Sequence, residues 1–170
     1  MTNIKRLSLL PDAEITDLYA RPDFNTNERE LYFTMDQTEL DITNCYSSTK
    51  TRTFFILQLA YFKAKNQFFV FNFEDVREDV KYILVKFFKT SDLVLAGSIS
   101  RKYIGLQRQS ILKLFDYKDW SADQVGVTEA HLCELLRYYP KNHDALRQLF
   151  VYFANQKIVA LPEFRWYDKI

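Results

Sequence analysis

Glycine and cysteine are scarce in this chain: 170 residues contain three glycines and two cysteines. So few glycines exclude a glycine-rich phosphate-binding loop. Cys45 and Cys133 lie too far apart to indicate a zinc cluster or a disulfide framework. The most apolar stretch, 54–62, is interrupted by Gln58 and is much shorter than the roughly 20 residues of a membrane span. Because no apolar run follows the first basic residues, we expect no secretory signal and an intracellular protein.

Aromatic residues, in contrast, are frequent, with 15 phenylalanines and 11 tyrosines, and 48% of all residues are hydrophobic. A chain of this length and composition can bury a core, which we expect to be rich in aromatic side chains. The sequence predicts an all-α fold. We expect the chain to form either one compact multi-helix domain or two helical lobes, at about 1–90 and 91–160.

The net charge is only +1, but the charged residues are segregated along the chain. Acidic residues dominate up to Asp41, whereas the windows 42–73 and 93–115 contain none. The basic residues of the two windows are Lys50, Arg52, Lys63 and Lys65, and Arg101, Lys102, Arg108 and Lys113. Acid-free basic windows are candidate contacts for a polyanion.

Local signals predict short helices in the first part of the chain. Pro11 and Pro22 bracket a helix at about 11–20. Asn25 with Glu28, and Thr34 with Gln37, have the spacing of capping boxes, so two more helices should follow and end near Asn44.

The middle of the chain predicts a central helix at about 54–62, apolar nearly all round, and a loop at 68–73. Apolar residues at intervals of three and four then predict an amphipathic helix from 76 to about 89. Further helices should run from 121 or 128 to 139 and from a cap at Asn142 onward.

A helix-turn-helix-like element is predicted around residues 91–115. Ser91 should cap a short helix that reaches Ala96, Gly97 should form a turn, and Ser98 or Ser100 should cap a helix that ends near Phe115. At 100° per residue, one arc of the second helix is largely basic or amide, and the other side is mostly apolar. The polar arc holds Arg101, Lys102, Gly105, Arg108, Gln109 and Lys113. The apolar side holds Ile99, Tyr103, Ile104, Leu106, Ile111, Leu114 and Phe115, and the exceptions are Leu112 on the polar side and Gln107 on the apolar side.

This polar arc has the residue types that read duplex DNA. Arginine pairs with guanine and glutamine with adenine, so Arg108 and Gln109 are candidates for base contacts. Lys102 and Lys113 would contact phosphates. The alternative is a solvated helix face that happens to lack acidic residues.

The window 42–73 offers a second candidate contact, through Lys50 and Arg52. These cations either contact phosphates or keep the ends of an aromatic helix soluble. The aromatic residues between the cations could stack on unpaired nucleotides, but their helical spacing favours core packing.

Catalytic signals are weak. His131 and His143 lie on different predicted helices without metal-ligand spacing, and neither accompanies a nucleophile motif. The acidic residues at 74–79 complement the start of a helix more simply than they bind a cation. We therefore expect no metal, no cofactor and no enzymatic activity in this chain.

Several blocks of the sequence resemble the amino-terminal region of Tn-three-family replicative transposases, nearly throughout the chain. These blocks are Leu7–Leu10, Ile15, Leu18–Tyr19, Glu28–Thr34, Gln58–Phe62, Ile111–Tyr117 and Ile158–Pro162. Family members commonly have a denser basic and histidine run where this chain has Leu106–Ser110. At the position where family members frequently have a glycine, this chain has Asp116. Aspartate tolerates the left-handed conformation that often ends a helix.

The resemblance implies an all-helical DNA-binding domain that helps to recognise the terminal inverted repeats of a mobile element. The catalytic domain would lie beyond Ile170. Double-stranded DNA and the rest of the transposase are then the expected partners, with a possible homo-oligomer and no membrane, in the bacterial cytoplasm at the nucleoid. The alternative is a helical protein-interaction module of the transposase complex, which would use the acidic first lobe and exposed aromatics.

Overall fold

A computed structural model describes residues 10–90, 95, 97–121 and 123–159. Within these ranges the chain forms α-helices joined by loops and one 3-10 helix, Phe73–Val76, so the predicted all-α fold is confirmed. The helices are α1 (Asp12–Tyr19), α2 (Thr26–Tyr32), α3 (Gln37–Asn44), α4 (Thr49–Lys65), α5 (Arg77–Phe88), α6 (Arg101–Phe115), α7 (Asp123–Tyr138) and α8 (Asn142–Asn155). None of these helices is both long enough and apolar enough to cross a membrane.

The helices group into two compact units. Residues 21–116 form one, which we call the α2–α6 unit. The described part of the other, residues 10–20 and 117–159, contains α1, α7 and α8. A boundary near residue 90 would have separated α6 from α4. Instead α6 packs on α4, and the Gln107 side-chain amide donates to the Thr51 carbonyl over 2.9 Å.

Helix α4 is the centre of the α2–α6 unit, as its apolar sequence predicts. Ten consecutive residues, 53–62, are buried, and α2, α3, α5 and α6 all pack against this helix. The ring of Tyr61 meets those of Phe69 and Phe71 edge to face. Asn66 ends the helix in the left-handed conformation, at φ 52°.

One of the two predicted capping boxes is present and the other is wrong. Asn25 and Glu28 form a reciprocal capping box at the start of α2. The second box joins Asp36 to Glu39 rather than Thr34 to Gln37. The Thr34 hydroxyl instead donates to the Glu30 carbonyl over 2.6 Å, because α2 has just ended and leaves such acceptors unpaired.

The segment after α4 is irregular, as predicted, and the 3-10 helix leads from it into α5. The first half of the predicted helix-turn-helix-like element, 91–94 and 96, lies outside the described residues. Its second half is present: Gly97 makes a turn at φ 74°, the Ser100 hydroxyl accepts from the Tyr103 amide, and α6 follows. Asp116 ends α6 in the left-handed conformation, at φ 57°.

In the other unit α7 packs against α8 around an apolar core. The core residues are Leu10, Leu132, Ala145, Leu146, Leu149, Phe153 and Ile158. The Nε and Nη2 groups of Arg147 on α8 donate to the Glu14 carboxylate on α1. Asn142 is the first residue of α8 rather than its cap, which is Lys141 without a side-chain hydrogen bond.

Candidate nucleic-acid interface

The contact of α6 with α4 decides which face of α6 meets solvent. Gln107, Ile111 and Leu112 are buried. Gln107 is the only one of the three with a polar side chain, and its amide reaches the Thr51 carbonyl in the first turn of α4. Because a buried amide group needs a partner, this bond holds α6 in one rotation about its axis.

The opposite side of α6 forms an exposed row that we call the α6 ridge: Arg101, Lys102, Gln109 and Lys113. Spacings of seven and four residues put the last three on one line along the helix. Lys102 and Lys113 are about 16 Å apart along the axis, at about 1.5 Å per residue. Among the described residues, no ion pair joins Arg101, Lys102 or Lys113 to a carboxylate, so the ridge keeps its positive charge.

Arg108 does not belong to this ridge, although the sequence places it on the polar arc. It is half-buried, and its guanidinium carbon lies 4.7 Å from the centre of the Phe68 ring. Cations stack favourably on aromatic faces, so Arg108 packs α6 against the loop after α4. Sorting α6 by residue type missed this contact because the partner is 40 residues away.

The buried and exposed residues on the rest of α6 also differ from the prediction. Tyr103 and Leu106 are 49% and 51% exposed, although the helical wheel placed both on the apolar side. Leu112, expected on the polar side, is buried. The buried face is therefore rotated towards Arg108, because Thr51 and Phe68 offer partners to the polar side chains there.

The two candidate residues of the first basic window have different surroundings. Arg52 donates to the carbonyls of Tyr46 and Asn44, over 2.6 and 3.3 Å, and so holds the end of α3. Lys50 lies near the start of α6. Its Nζ is 3.4 Å from the position that a Cβ atom on Gly97 would occupy. The structure thus brings Lys50, but not Arg52, towards the segment that leads into α6.

A cavity of about 190 Å³, which no sequence pattern predicted, opens beside α4 within the α2–α6 unit. Its lining residues are Phe54, Gln58, Phe69, Val70, Phe71, Asn72, Phe73, Gly97, Ser98, Ile99 and Ile104. Gln58 is buried, and its Nε2 donates to the Phe69 carbonyl over 3.1 Å. The only hint in the sequence was that Gln58 interrupts an otherwise apolar run.

Residues 9–168 match a family model described as a domain of unknown function, DUF4158. The chain belongs to the DUF4158 family. Neither a curated protein nor a solved structure matches it. The matched range includes α6, Lys50 and the cavity, so all these features belong to the DUF4158 domain.

A buried polar cluster of the DUF4158 domain joins side chains of α2, α4 and α5. The carboxylate of Asp79 accepts from the Tyr61 hydroxyl and from Arg29 Nε, both over 2.7 Å. Arg21 donates to the Tyr61 oxygen over 3.3 Å. Burial, with the hydrogen bond to Asp79, raises the pKa of the Tyr61 phenol far above its usual range. Because every member pairs with another and the carboxylate is 3% exposed, this cluster stabilises the unit rather than meeting a ligand.

No group of histidine, cysteine and acidic side chains in the described part of the DUF4158 domain could hold a metal ion. The ring of His131 lies against that of Tyr152, with centroids 4.2 Å apart and the ring planes tilted by 34°. Within the acidic stretch at 74–79, Asp75 accepts from the Asn72 amide and Glu78 pairs with Lys81. Asp75 therefore caps the start of the 3-10 helix, and Glu78 lies in the first turn of α5.

Proposed function

We propose that this DUF4158 domain binds double-stranded DNA through the α6 ridge. The DNA would be the terminal inverted repeats of a mobile element, and the domain would be part of a Tn-three-like transposase. The observation that carries the proposal is the exposed row of Arg101, Lys102, Gln109 and Lys113, which has no carboxylate partner among the described residues. Cations in such a row displace counterions from phosphates, which is the main source of affinity for DNA.

The dimensions of the ridge suit the major groove. The groove is about 12 Å wide and admits an α-helix. With about 16 Å between them along the axis, Lys102 and Lys113 would reach phosphates at the two edges of the groove. Gln109 lies between the lysines, where its amide can pair with the donor and acceptor of an adenine edge.

The placement of the other candidates refines their roles. Arg108 would act indirectly, by fixing α6 on Phe68, rather than by reading guanine. Arg52 would hold α3, whereas Lys50 remains close enough to the start of α6 to contact a phosphate of the same DNA. The proposal therefore assigns base reading to Gln109 and phosphate contacts to Arg101, Lys102, Lys113 and Lys50.

Family membership supports the biological context of the proposal. DUF4158 domains are found in Tn-three-family transposases. The sequence blocks of this chain resemble the same region of those enzymes, in which a separate domain performs strand cleavage and joining. The proposed role is therefore recognition of the element ends at the nucleoid, with catalysis left to that other domain.

A fluorescence anisotropy titration tests the proposal with two duplexes, the terminal repeat of the element and a scrambled version. If Arg101, Lys102, Lys113 and Lys50 each neutralise one phosphate, affinity should fall about 150-fold between 50 and 200 mM salt. Lys102→Ala should weaken both duplexes and reduce the logarithmic salt slope by about 0.9. Lys81→Ala is the matched control, because Lys81 is an exposed lysine of α5 in the same unit.

Replacement of Gln109 tests base reading separately. Gln109→Ala should reduce the preference for the repeat by about tenfold, since one two-pronged base contact contributes about 1–3 kcal/mol to discrimination. Equal weak binding of wild type to both duplexes would leave only nonspecific attraction. If neither duplex binds, the protein-interaction role replaces this proposal.

A further inference from the structure

The cavity beside α4 has aromatic walls and a volume that suits a small ring. The Phe54 ring stacks on Phe71 at 5.0 Å and meets Phe73 edge to face at 6.0 Å. A cavity of about 150 Å³ is large enough to bind benzene. The volume of about 190 Å³ found here therefore suits one ring or a compact pair of fused rings.

One residue in the lining of the cavity has a buried polar atom without a hydrogen-bond partner. Gln58 is 5% exposed, and while its Nε2 bonds to the Phe69 carbonyl, its Oε1 has no hydrogen-bond partner among the described residues. An unpaired buried carbonyl oxygen is costly, and a ligand that brings an N–H donor removes that cost. Gln58 lines the cavity, so rotation of its side chain would turn Oε1 towards a donor held there.

Positive charge lies at the edge of the same cavity. Gly97 is part of the lining, and Lys50 Nζ is 3.4 Å from the position of a Cβ atom on Gly97. Arg101, the first residue of the α6 ridge, follows the lining residues Ser98 and Ile99 directly after the Ser100 cap. An apolar cavity with a cationic edge suits an uncharged ring that is attached to a phosphate.

We propose that this cavity binds an unpaired nucleobase with an exocyclic amine, adenine or cytosine, whose amine donates to Gln58 Oε1 while Lys50 faces the attached phosphate. The proposal rests on the proposed function, since the base would belong to DNA held on the α6 ridge. Proteins that act on a base outside the helix use the same elements, an aromatic pocket and a hydrogen bond to the base edge. A tryptophan side chain would also bring an N–H donor, but it would bring no phosphate for Lys50.

Nuclear magnetic resonance titrations of the full ¹⁵N-labelled chain test the cavity without any duplex. Adenosine should shift the side-chain amide signals of Gln58 and the backbone amides of residues 69–73. N6,N6-dimethyladenosine keeps the ring but lacks the donor, so it should bind about tenfold more weakly, the loss expected for one hydrogen bond. Adenosine 5′-monophosphate should bind several-fold more tightly than adenosine at low salt, and Lys50→Ala should remove that difference.

Two variants localise the effect. Gln58→Leu should reduce adenosine binding about tenfold and remove the discrimination against the dimethylated ring. Ser98→Trp fills the cavity from an exposed position outside the helices, so it should abolish binding without loss of core packing. Ser47→Trp, at an exposed serine that does not line the cavity, is the matched control and should bind adenosine normally.

Three results would overturn the proposal: no shifts with either adenosine or cytidine at millimolar concentrations, equal shifts in Ser98→Trp, or shifts with indole but with neither nucleoside. The last result would assign the cavity to a tryptophan of a protein partner. Duplex binding is measured separately through Lys102 and Gln109. A domain that binds the repeat but no nucleoside contradicts only the cavity proposal, and one that binds adenosine but no duplex contradicts the proposed function.

Discussion

Replacing Tyr61 by phenylalanine removes one hydroxyl from the buried cluster and leaves the aromatic ring in place. That hydroxyl donates to Asp79 Oδ2 over 2.7 Å, and the carboxylate is 3% exposed. The ring contacts with Phe69 and Phe71 do not depend on the oxygen. The variant therefore removes the hydrogen bond to the buried carboxylate, together with the longer one that Arg21 donates to the Tyr61 oxygen over 3.3 Å.

The expected cost follows from the charge of the acceptor. A hydrogen bond to a charged group contributes about 1.5–3 kcal/mol, and Asp79 keeps its bond from Arg29 Nε in the variant. We expect the free energy of unfolding of the α2–α6 unit to fall by about 2 kcal/mol. Asp79→Ala should cost more, about 4 kcal/mol, because it removes the acceptor of both the Arg29 Nε–H and the Tyr61 O–H donors.

Native-state hydrogen exchange of the α4 amides measures the free energy of unfolding of the α2–α6 unit. A loss of 2 kcal/mol should accelerate the slowest amides of residues 55–60 about 30-fold. Tyr82→Phe is the control, since the Tyr82 oxygen has only a marginal contact with Lys86 Nζ at 3.5 Å. It should change the free energy by less than about 0.5 kcal/mol. Unchanged exchange in Tyr61→Phe would refute the argument that this hydroxyl stabilises the unit.

Two further predictions concern charge in the same unit. Because burial raises the pKa of Tyr61, the unfolded chain loses the phenolic proton near pH 10 while the folded chain keeps it. Above pH 10 the contribution of Tyr61 to the free energy of unfolding should therefore fall by about 1.4 kcal/mol per pH unit. Urea titrations of Tyr61→Phe at several pH values should lack this loss. Lys63→Met should cost about 3 kcal/mol, because the 2.7 Å ion pair of Lys63 compensates the buried carboxylate of Glu39. Changing Glu39 to Gln in the same chain should restore part of the loss, and an unaltered urea midpoint in Lys63→Met would contradict the role of the pair.

Local sequence signals were sufficient for the elements of the fold. The apolar run at 54–62 predicted the central helix α4 because a helix without a polar face can only be buried. The Asn25 and Glu28 pair predicted the start of α2, since a capping box needs only residues three apart. The predicted capping box of Thr34 and Gln37 was wrong because Asp36 and Glu39 have the same spacing. The buried ion pair of Glu39 with Lys63 favours the box that contains Glu39.

The candidate interface was only partly predictable. Lys102, Gln109 and Lys113 are exposed as the helical wheel indicates, because hydration of their side chains is a local property. Arg108 was misplaced because its stacking partner, Phe68, comes from a distant loop. The cavity was missed for the same reason: its walls come from four separate segments of the chain.

The sequence by itself determined the all-α class, the positions of most helices and the clustering of positive charge around α6. These follow from interactions between residues a few positions apart, which the order of residues specifies directly. Only the tertiary structure decided where the buried face of α6 begins and ends, which cations are held internally and where Gln58 meets an apolar cavity. Those outcomes depend on contacts between segments tens of residues apart, and such contacts are set by the packing of α4 against its neighbours.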